Sequence, residues 1–312
     1  MSLVEKALKK IQGSQKPSLG ALRTAQPVSK DEELVPLGAV TEASRIAVAD
    51  EHRRSSRPFL GHGVAPSAKL LIVNRATIRA AGLLPPEHQE RQIADQYRQI
   101  KRPLVAMALK KGPDAVPNAH LIMVSSATPG DGKTFTSVNL AMSMSLEKDI
   151  NILLIDGDVA KPHISRLFGV ENEPGLLDAL HDEALDLESL ILPTDVPGLS
   201  VLPAGRRSEN ATELLASQRM EQIASELENH DTSRIAIIDS PPLLLTNESR
   251  VLAQTVGQIV LVVRAGKTSR QDLLDAISHI EAGKSIGLVL NQSMSALPGY
   301  YYGDAEKMSI PK

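Results

Sequence analysis

The sequence predicts an α/β fold: a doubly wound, mainly parallel sheet with helices on both faces. Three observations carry that expectation. Short apolar runs recur at residues 121–124, 152–155, 199–202, 235–238, 259–263 and 287–290, separated by segments long enough to hold helices. Strands alternating with helices imply parallel pairing through crossovers. The second observation is composition. Hydrophobic residues make up 42% of the chain but aromatics only 2%, so the core must be aliphatic, as strands covered on both faces require. The third is a glycine-containing turn, residues 127–134, placed between a strand-like and a helix-like segment.

The elements follow in chain order. Leu3, Val4, Ala7, Leu8 and Ile11 recur at helical spacing with Lys6, Lys9 and Lys10 between them, and Gly13 ends the pattern. Residues 1–13 therefore read as a short amphipathic helix, either docked on its own protein or tethering it to a membrane surface or partner. From 14 to 67 the periodicity fades, and Pro, Ser, Gly and charged residues predict a flexible linker. Order resumes near Lys69 with the apolar run 70–73, followed by a helix over 93–109 interrupted near Pro103. After the linker-like stretch 110–120 the strand–helix alternation begins, giving a folded domain over 68–297. Residues 298–312 read as a flexible tail.

Charge is uneven. Residues 1–94 carry 14 basic and 9 acidic side chains, whereas 95–312 carry 20 and 28. The acidic part holds the motifs, which disfavours a nucleic-acid-binding face. The absence of Cys excludes disulfides, thiolate metal sites and Cys nucleophiles. No apolar run approaches the ~20 residues of a membrane span, and the first residues lack a secretory pattern, so a soluble, cytoplasmic protein is expected.

The turn 127–134 reads ATPGDGKT, which in a strand–loop–helix context is a phosphate-binding P-loop. Gly130 and Gly132 let the backbone curl until successive N–H groups converge, and with the following helix terminus they can hold phosphate. Thr128, Pro129, Asp131 and Phe135 complete the nucleotide-binding stretch. Lys133 supplies a charge for the β- and γ-phosphates, and Thr134 a hydroxyl for Mg²⁺. Two further apolar runs end in acid. ILLIDGD places Asp156 and Asp158 at the carboxyl edge of the sheet, where α/β folds bind ligands. IAIIDSPP places Asp239 there, suited to holding a magnesium shell through water. Together these motifs predict an ATP- and Mg²⁺-dependent P-loop NTPase, and their arrangement resembles the MinD/ParA-like superfamily.

The combination SSATPGDGKT, ILLIDGDVAKP and IIDSPP resembles the bacterial tyrosine kinases that serve polysaccharide export. The stretch LPAG with Asn210 and residues 213–217 agrees, as does a helix carrying Asp95, Arg98 and Lys101. YRQIKRPL and the opening MSLVEKALKK resemble the subgroup encoded with exosortase-type exopolysaccharide systems. Of four tyrosines, Tyr300, Tyr301 and Tyr302 are consecutive and flanked by Gly299 and Gly303, a segment suited to entering a neighbouring active site. The resemblance implies autophosphorylation of this cluster in trans, with Lys133, Asp156, Asp158 and Asp239 catalytic and Thr134, Asp156 and Asp239 holding the metal. Asp158, or Asp156 in exchange, would accept the tyrosine proton, and Asn291 would contact adenine. It further implies a homo-oligomeric ring contacted through Asp95, Arg98 and Lys101, and loosened by the phosphotyrosine charge. A separate transmembrane chain-length regulator would activate the protein and hold it peripherally at the inner membrane, and a cognate tyrosine phosphatase would reverse the modification. For the 95–101 helix, a solvated charged face is the competing reading. Lys161 and Arg166 are candidate substrate-side cations or solvated charges, and His163 a surface or core residue.

Two other functions fit parts of the sequence. A MinD- or ParA-type positioning ATPase shares the motifs, but usually carries lysine where this chain has Thr128, and lacks a tyrosine tail. A nucleotide-sensing module would not need the intact lysine and aspartates. An iron–sulfur carrier of the same superfamily is excluded by the missing cysteines.

Overall fold

A computed structural model describes residues 70–293. The expected N-terminal helix, the linker and the tyrosine tail lie outside the described residues. Within them the order is α1 (Arg75–Ala80), a short 3-10 turn (Glu87–Gln89), α2 (Glu90–Ala108), β1 (Leu121–Ser126), α3 (Lys133–Met144), β2 (Asn151–Asp156), α4 (His163–Leu167), α5 (Leu176–His181) and α6 (Leu187–Leu190). There follow β3 (Leu192–Pro193), β4 (Leu199–Leu202), α7 (Ala211–Leu215), α8 (Gln218–His230), β5 (Arg234–Asp239), α9 (Asn247–Thr255), β6 (Gln258–Arg264), α10 (Arg270–Ser278) and β7 (Ser285–Asn291).

All six apolar runs are strands of one sheet, in the order β3-β4-β2-β5-β1-β6-β7. Every pairing is parallel except β3 with β4. Side chains alternate across it: Leu121 and Met123 of β1 enter the apolar cluster on one face, Ile122 and Val124 the cluster on the other. Both faces being covered is why these strands read as continuous apolar runs. Each fully buried aliphatic contributes roughly 1.5–3 kcal/mol relative to exposure.

Three features depart from the sequence expectation. The two-residue β3 is too short to leave a periodic signal. Leu71, in the run 70–73, forms only an isolated bridge to Thr194, with its N–H donating to the Pro193 carbonyl (2.8 Å). Helix α2 runs unbroken through Pro103. That proline lies on the exposed face, where water can serve the carbonyl a proline leaves unpaired, while Tyr97, Lys101 and Leu104 bury the opposite face. Packing of that stripe against α3 outweighs the break that Pro favours locally.

The helix with Asp95, Arg98 and Lys101 divides these residues. Asp95 and Arg98 are exposed and paired with each other. Lys101 is buried, its Nζ donating to the Ser143 carbonyl (2.6 Å) and pairing with Glu147 (2.7 Å). Steps of three residues each rotate by about 300° around a helix, so the third member turns into the chain's own core. Lys101 thus ties α2 to the end of α3 rather than facing outward with the other two.

Candidate nucleotide and phosphoryl-transfer site

The P-loop joins β1 to α3 at the carboxyl edge of the sheet. Gly130 and Gly132 have φ of +82° and +100°, in the left-handed region that L side chains disfavour. Gly132 has a second constraint: a Cβ built there would lie 2.0 Å from Asn291 Nδ2. That amide donates to the Asp131 carbonyl (2.9 Å), so the end of β7 latches the loop. Gly132→Ala is expected to weaken ATP binding at least roughly tenfold, since strain of about 1–2 kcal/mol adds to the displaced latch. Calorimetric titration with nucleotide checks this.

Asp131 is a brace inside the loop. Its buried carboxylate accepts from the Thr128 N–H (3.2 Å) and hydroxyl (3.1 Å), and from Thr268 Oγ1 (2.9 Å). Thr268 Oγ1 accepts in turn from the Arg264 N–H (2.9 Å), fastening the loop to the end of β6. Thr128 is therefore occupied in holding the loop's shape, with Pro129 exposed at its tip.

Three carboxylates converge beneath the loop. Register pairs Asp156 of β2 directly with Asp239 of β5. Thr134 Oγ1 donates to Asp239 Oδ2 (2.8 Å), and Ser137 Oγ lies 2.8 Å from Asp239 Oδ1. Asp158, just past β2, places Oδ2 3.7 Å from Lys133 Nζ, while its Oδ1 accepts the Lys161 N–H (3.1 Å). Burial raises the Asp156 carboxyl to about 7, against two hydrogen bonds from Ser165, with the neighbouring Asp239 and Asp158 charges raising it further. Burial likewise raises Asp239 to about 6, opposed by the Lys133 ammonium and by the Thr134 and Ser137 hydroxyls. Three acids against one ammonium leave the cluster short of positive charge.

The donor set fits a hard divalent cation. Asp156 Oδ1 is buried with no hydrogen-bond partner among the described residues, and the Thr134 hydroxyl and Asp239 lie beside it in the same cluster. No cage of three or more His, Cys, Asp or Glu exists among the described residues. None is needed, because magnesium is usually held by one or two carboxylates with substrate phosphates and water.

A cavity of about 770 Å³ opens over the loop. Gly130, Gly132, Lys133, Thr134 and Phe135 form its floor, with Asn291 at one side and His163 and Arg166 of α4 at another. The turn after α1 closes the remaining side with Ala81, Gly82 and Leu83, anchored by the Asn139 amide donating to the Leu83 carbonyl (2.9 Å). Arg166 thus faces the cavity, whereas Lys161 is outside its lining. Burial, reinforced by Arg166 and Lys133, lowers the His163 pKa, with Asp158 opposing. Sequence reasoning missed Ser137, Ser165, Thr268 and the α1 turn. Ser137 follows Thr134 by three residues on one helix face and could have been inferred; the others come together only through the fold.

A family model, described as ParA: NUBPL iron-transfer P-loop NTPase, matches residues 118–298. Tyrosine-protein kinase YwqD of Bacillus subtilis is 30% identical over 215 residues, covering 67% of this chain and 86% of that one. The chain belongs to the bacterial tyrosine-kinase family, on the ParA-type P-loop fold. Tyrosine-protein kinase ptk of Acinetobacter johnsonii is 33% identical over 58% of this chain, which spans only 24% of that protein's length. The solved kinase domain of Escherichia coli tyrosine kinase ETK aligns with a TM-score of 0.52 at 31% identity, covering 61% of this chain and 74% of that one. The "iron-transfer" label describes the matched model; this kinase-family chain contains no cysteine. Nucleotide and divalent-metal use come with the P-loop kinase family.

Proposed function

We propose that this chain is a protein-tyrosine autokinase that transfers the γ-phosphoryl group of ATP to Tyr300, Tyr301 and Tyr302 of another copy. The observation that carries this reading is the convergence of Lys133, Thr134, Asp156, Asp158 and Asp239 at one edge of the sheet. Loop amides and Lys133 hold the phosphates and neutralise charge that develops on the transferring group. Asn291, at the edge of the same cavity, contacts the adenine. The incoming tyrosine hydroxyl gives its proton to Asp158 as a new O–P bond forms, and the bond between γ-phosphorus and the bridging oxygen breaks to release ADP. Thr134 and Asp156 would hold magnesium, with Asp239 orienting its water shell, and the ion would supply further neutralisation of phosphate charge.

The tail cluster is favoured as acceptor over the fourth tyrosine. Tyr97 is buried in α2, its hydroxyl hydrogen-bonded to Thr136, and burial pushes its pKa up to about 12. It can neither reach a second active site nor ionise readily.

In this reading the modification governs exopolysaccharide or capsule synthesis and export. A separate transmembrane chain-length regulator activates the kinase and holds it at the inner membrane from the cytoplasmic side. A cognate tyrosine phosphatase resets it, and unphosphorylated copies assemble as a ring. No described helix is long and apolar enough to cross a membrane. Asp95 and Arg98 are the exposed members of the proposed ring contact, and Lys101 fastens their helix to the end of α3.

The reading is tested by replacing Tyr300–302 together with Phe and following phosphotyrosine on the full chain isolated from its own host. The expected result is loss of essentially all phosphotyrosine, with nucleotide affinity unchanged. ATP hydrolysis without any protein label would identify a positioning ATPase instead, and neither hydrolysis nor label would identify a sensor.

A further inference from the structure

Asp156 is held by one oxygen only. Its Oδ2 accepts two hydrogen bonds from a single residue, Ser165, through the backbone N–H and the hydroxyl, both at 2.7 Å. The hydroxyl in turn accepts the Ala204 N–H (3.0 Å). A serine hydroxyl has one hydrogen to give, so with Ala204 on its acceptor side that hydrogen is committed to Asp156.

Ala204 is itself fixed. Its carbonyl accepts the Leu177 N–H (3.0 Å). Two residues on, the backbone N–H and Nε of Arg206 donate to Asp178 at 2.9 and 2.7 Å. At its other end this chain of contacts reaches Asp156, whose Oδ1 is buried with no hydrogen-bond partner among the described residues.

The plainer explanation is that Asp156 merely serves α4, by accepting a free amide of its first turn. That does not explain the arrangement. A capping group works equally well at the surface, whereas Asp156, Ser165 and Ala204 are all at most 1% exposed. Nor does capping explain a second carboxylate oxygen left buried and unpaired, which is costly unless something else uses it.

We infer that Ser165 is a positioning residue for phosphoryl transfer: its paired N–H and O–H turn Asp156 so that Oδ1 faces the metal–nucleotide position. This rests on the kinase-site reading above, with Asp156 as a metal-side carboxylate. Hydrogen bonds to a ligating carboxylate typically alter metal affinity by 10–100-fold.

The test is calorimetric titration of the full chain with ADP, in the presence of magnesium and then of a chelator, alongside the thermal midpoint of each variant. Ser165→Ala is expected to lose about tenfold of the magnesium-dependent gain in ADP affinity, while metal-free affinity stays within about twofold. Ser165→Thr keeps both donors and is expected to recover the gain. Ser165→Cys keeps the size and the backbone N–H but donates weakly; it is expected to show the same loss and serves where the alanine variant does not fold. An unchanged magnesium-dependent gain in Ser165→Ala would overturn the assignment. So would a parallel fall of metal-free and metal-bound affinities, the mark of a purely structural role. A parent chain with no magnesium-dependent gain would overturn the underlying site reading as well.

Discussion

Replacing Lys133 with methionine is expected to lower ATP turnover at least roughly 100-fold, the scale of losing one positioned donor to a charge-developing transition state (~2.7–4 kcal/mol). Methionine keeps an unbranched stem of similar length, so the effect isolates the ammonium. Lys133 is the cation that opposes the carboxylates here: it lies 3.7 Å from Asp158 and partly offsets the burial-driven rise of the Asp239 pKa. Without it the three acids beneath the loop would be left without their opposing ammonium, so ADP and ATP affinity should fall along with turnover. Single-turnover phosphoryl transfer and nucleotide titration on one preparation measure both. Retention of affinity and turnover would remove the foundation of every later assignment.

Asp239→Asn should impair function while stabilising the nucleotide-free chain at alkaline pH. Asp239 and Asp156 have carboxyl pKa values raised to about 6 and about 7, from an ordinary value of 3.8. The folded chain therefore holds protons that the unfolded chain has already released. Stability is full below about pH 4 and is lost as pH rises through 6 and 7. Removing one of the two ionisable groups removes part of that loss. At pH 8 in chelator the variant should melt above the parent, at roughly 2–4 °C per kcal/mol for a body of this size, with the difference vanishing near pH 4. Kinase activity should fall roughly 10–100-fold, because a neutral amide no longer holds the metal's water shell as a carboxylate does. A melting difference independent of pH would contradict the account.

Much of the site was legible in the primary structure because its parts are local. A P-loop is eight consecutive residues whose glycines, lysine and threonine are set by the turn itself, and strand-ending aspartates announce the carboxyl edge. Local reading went astray where a tertiary contact outweighs a local preference. Pro103 reads as a helix break, yet the buried stripe of Tyr97, Lys101 and Leu104 carries α2 through it. The charge pattern of Asp95, Arg98 and Lys101 reads as one surface, yet the helical turn sends Lys101 inward to Ser143 and Glu147. Thr128 and Asp131 read as nucleotide-binding residues; what no local pattern records is that both also brace the loop against itself and Thr268.

The sequence by itself determined the fold class, the family and the identity of the phosphate-binding loop, since each is encoded in short-range pattern: strand period, glycine placement and acids at strand ends. Only the tertiary structure decided which of those acids are close enough to shift one another, since Asp156 and Asp239 lie 83 positions apart in the sequence and meet through the β2–β5 register. The same holds for Ser165 beneath Asp156 and Asn291 against Gly132. Burial and pairing depend on which distant strands become neighbours, and no local pattern records that choice.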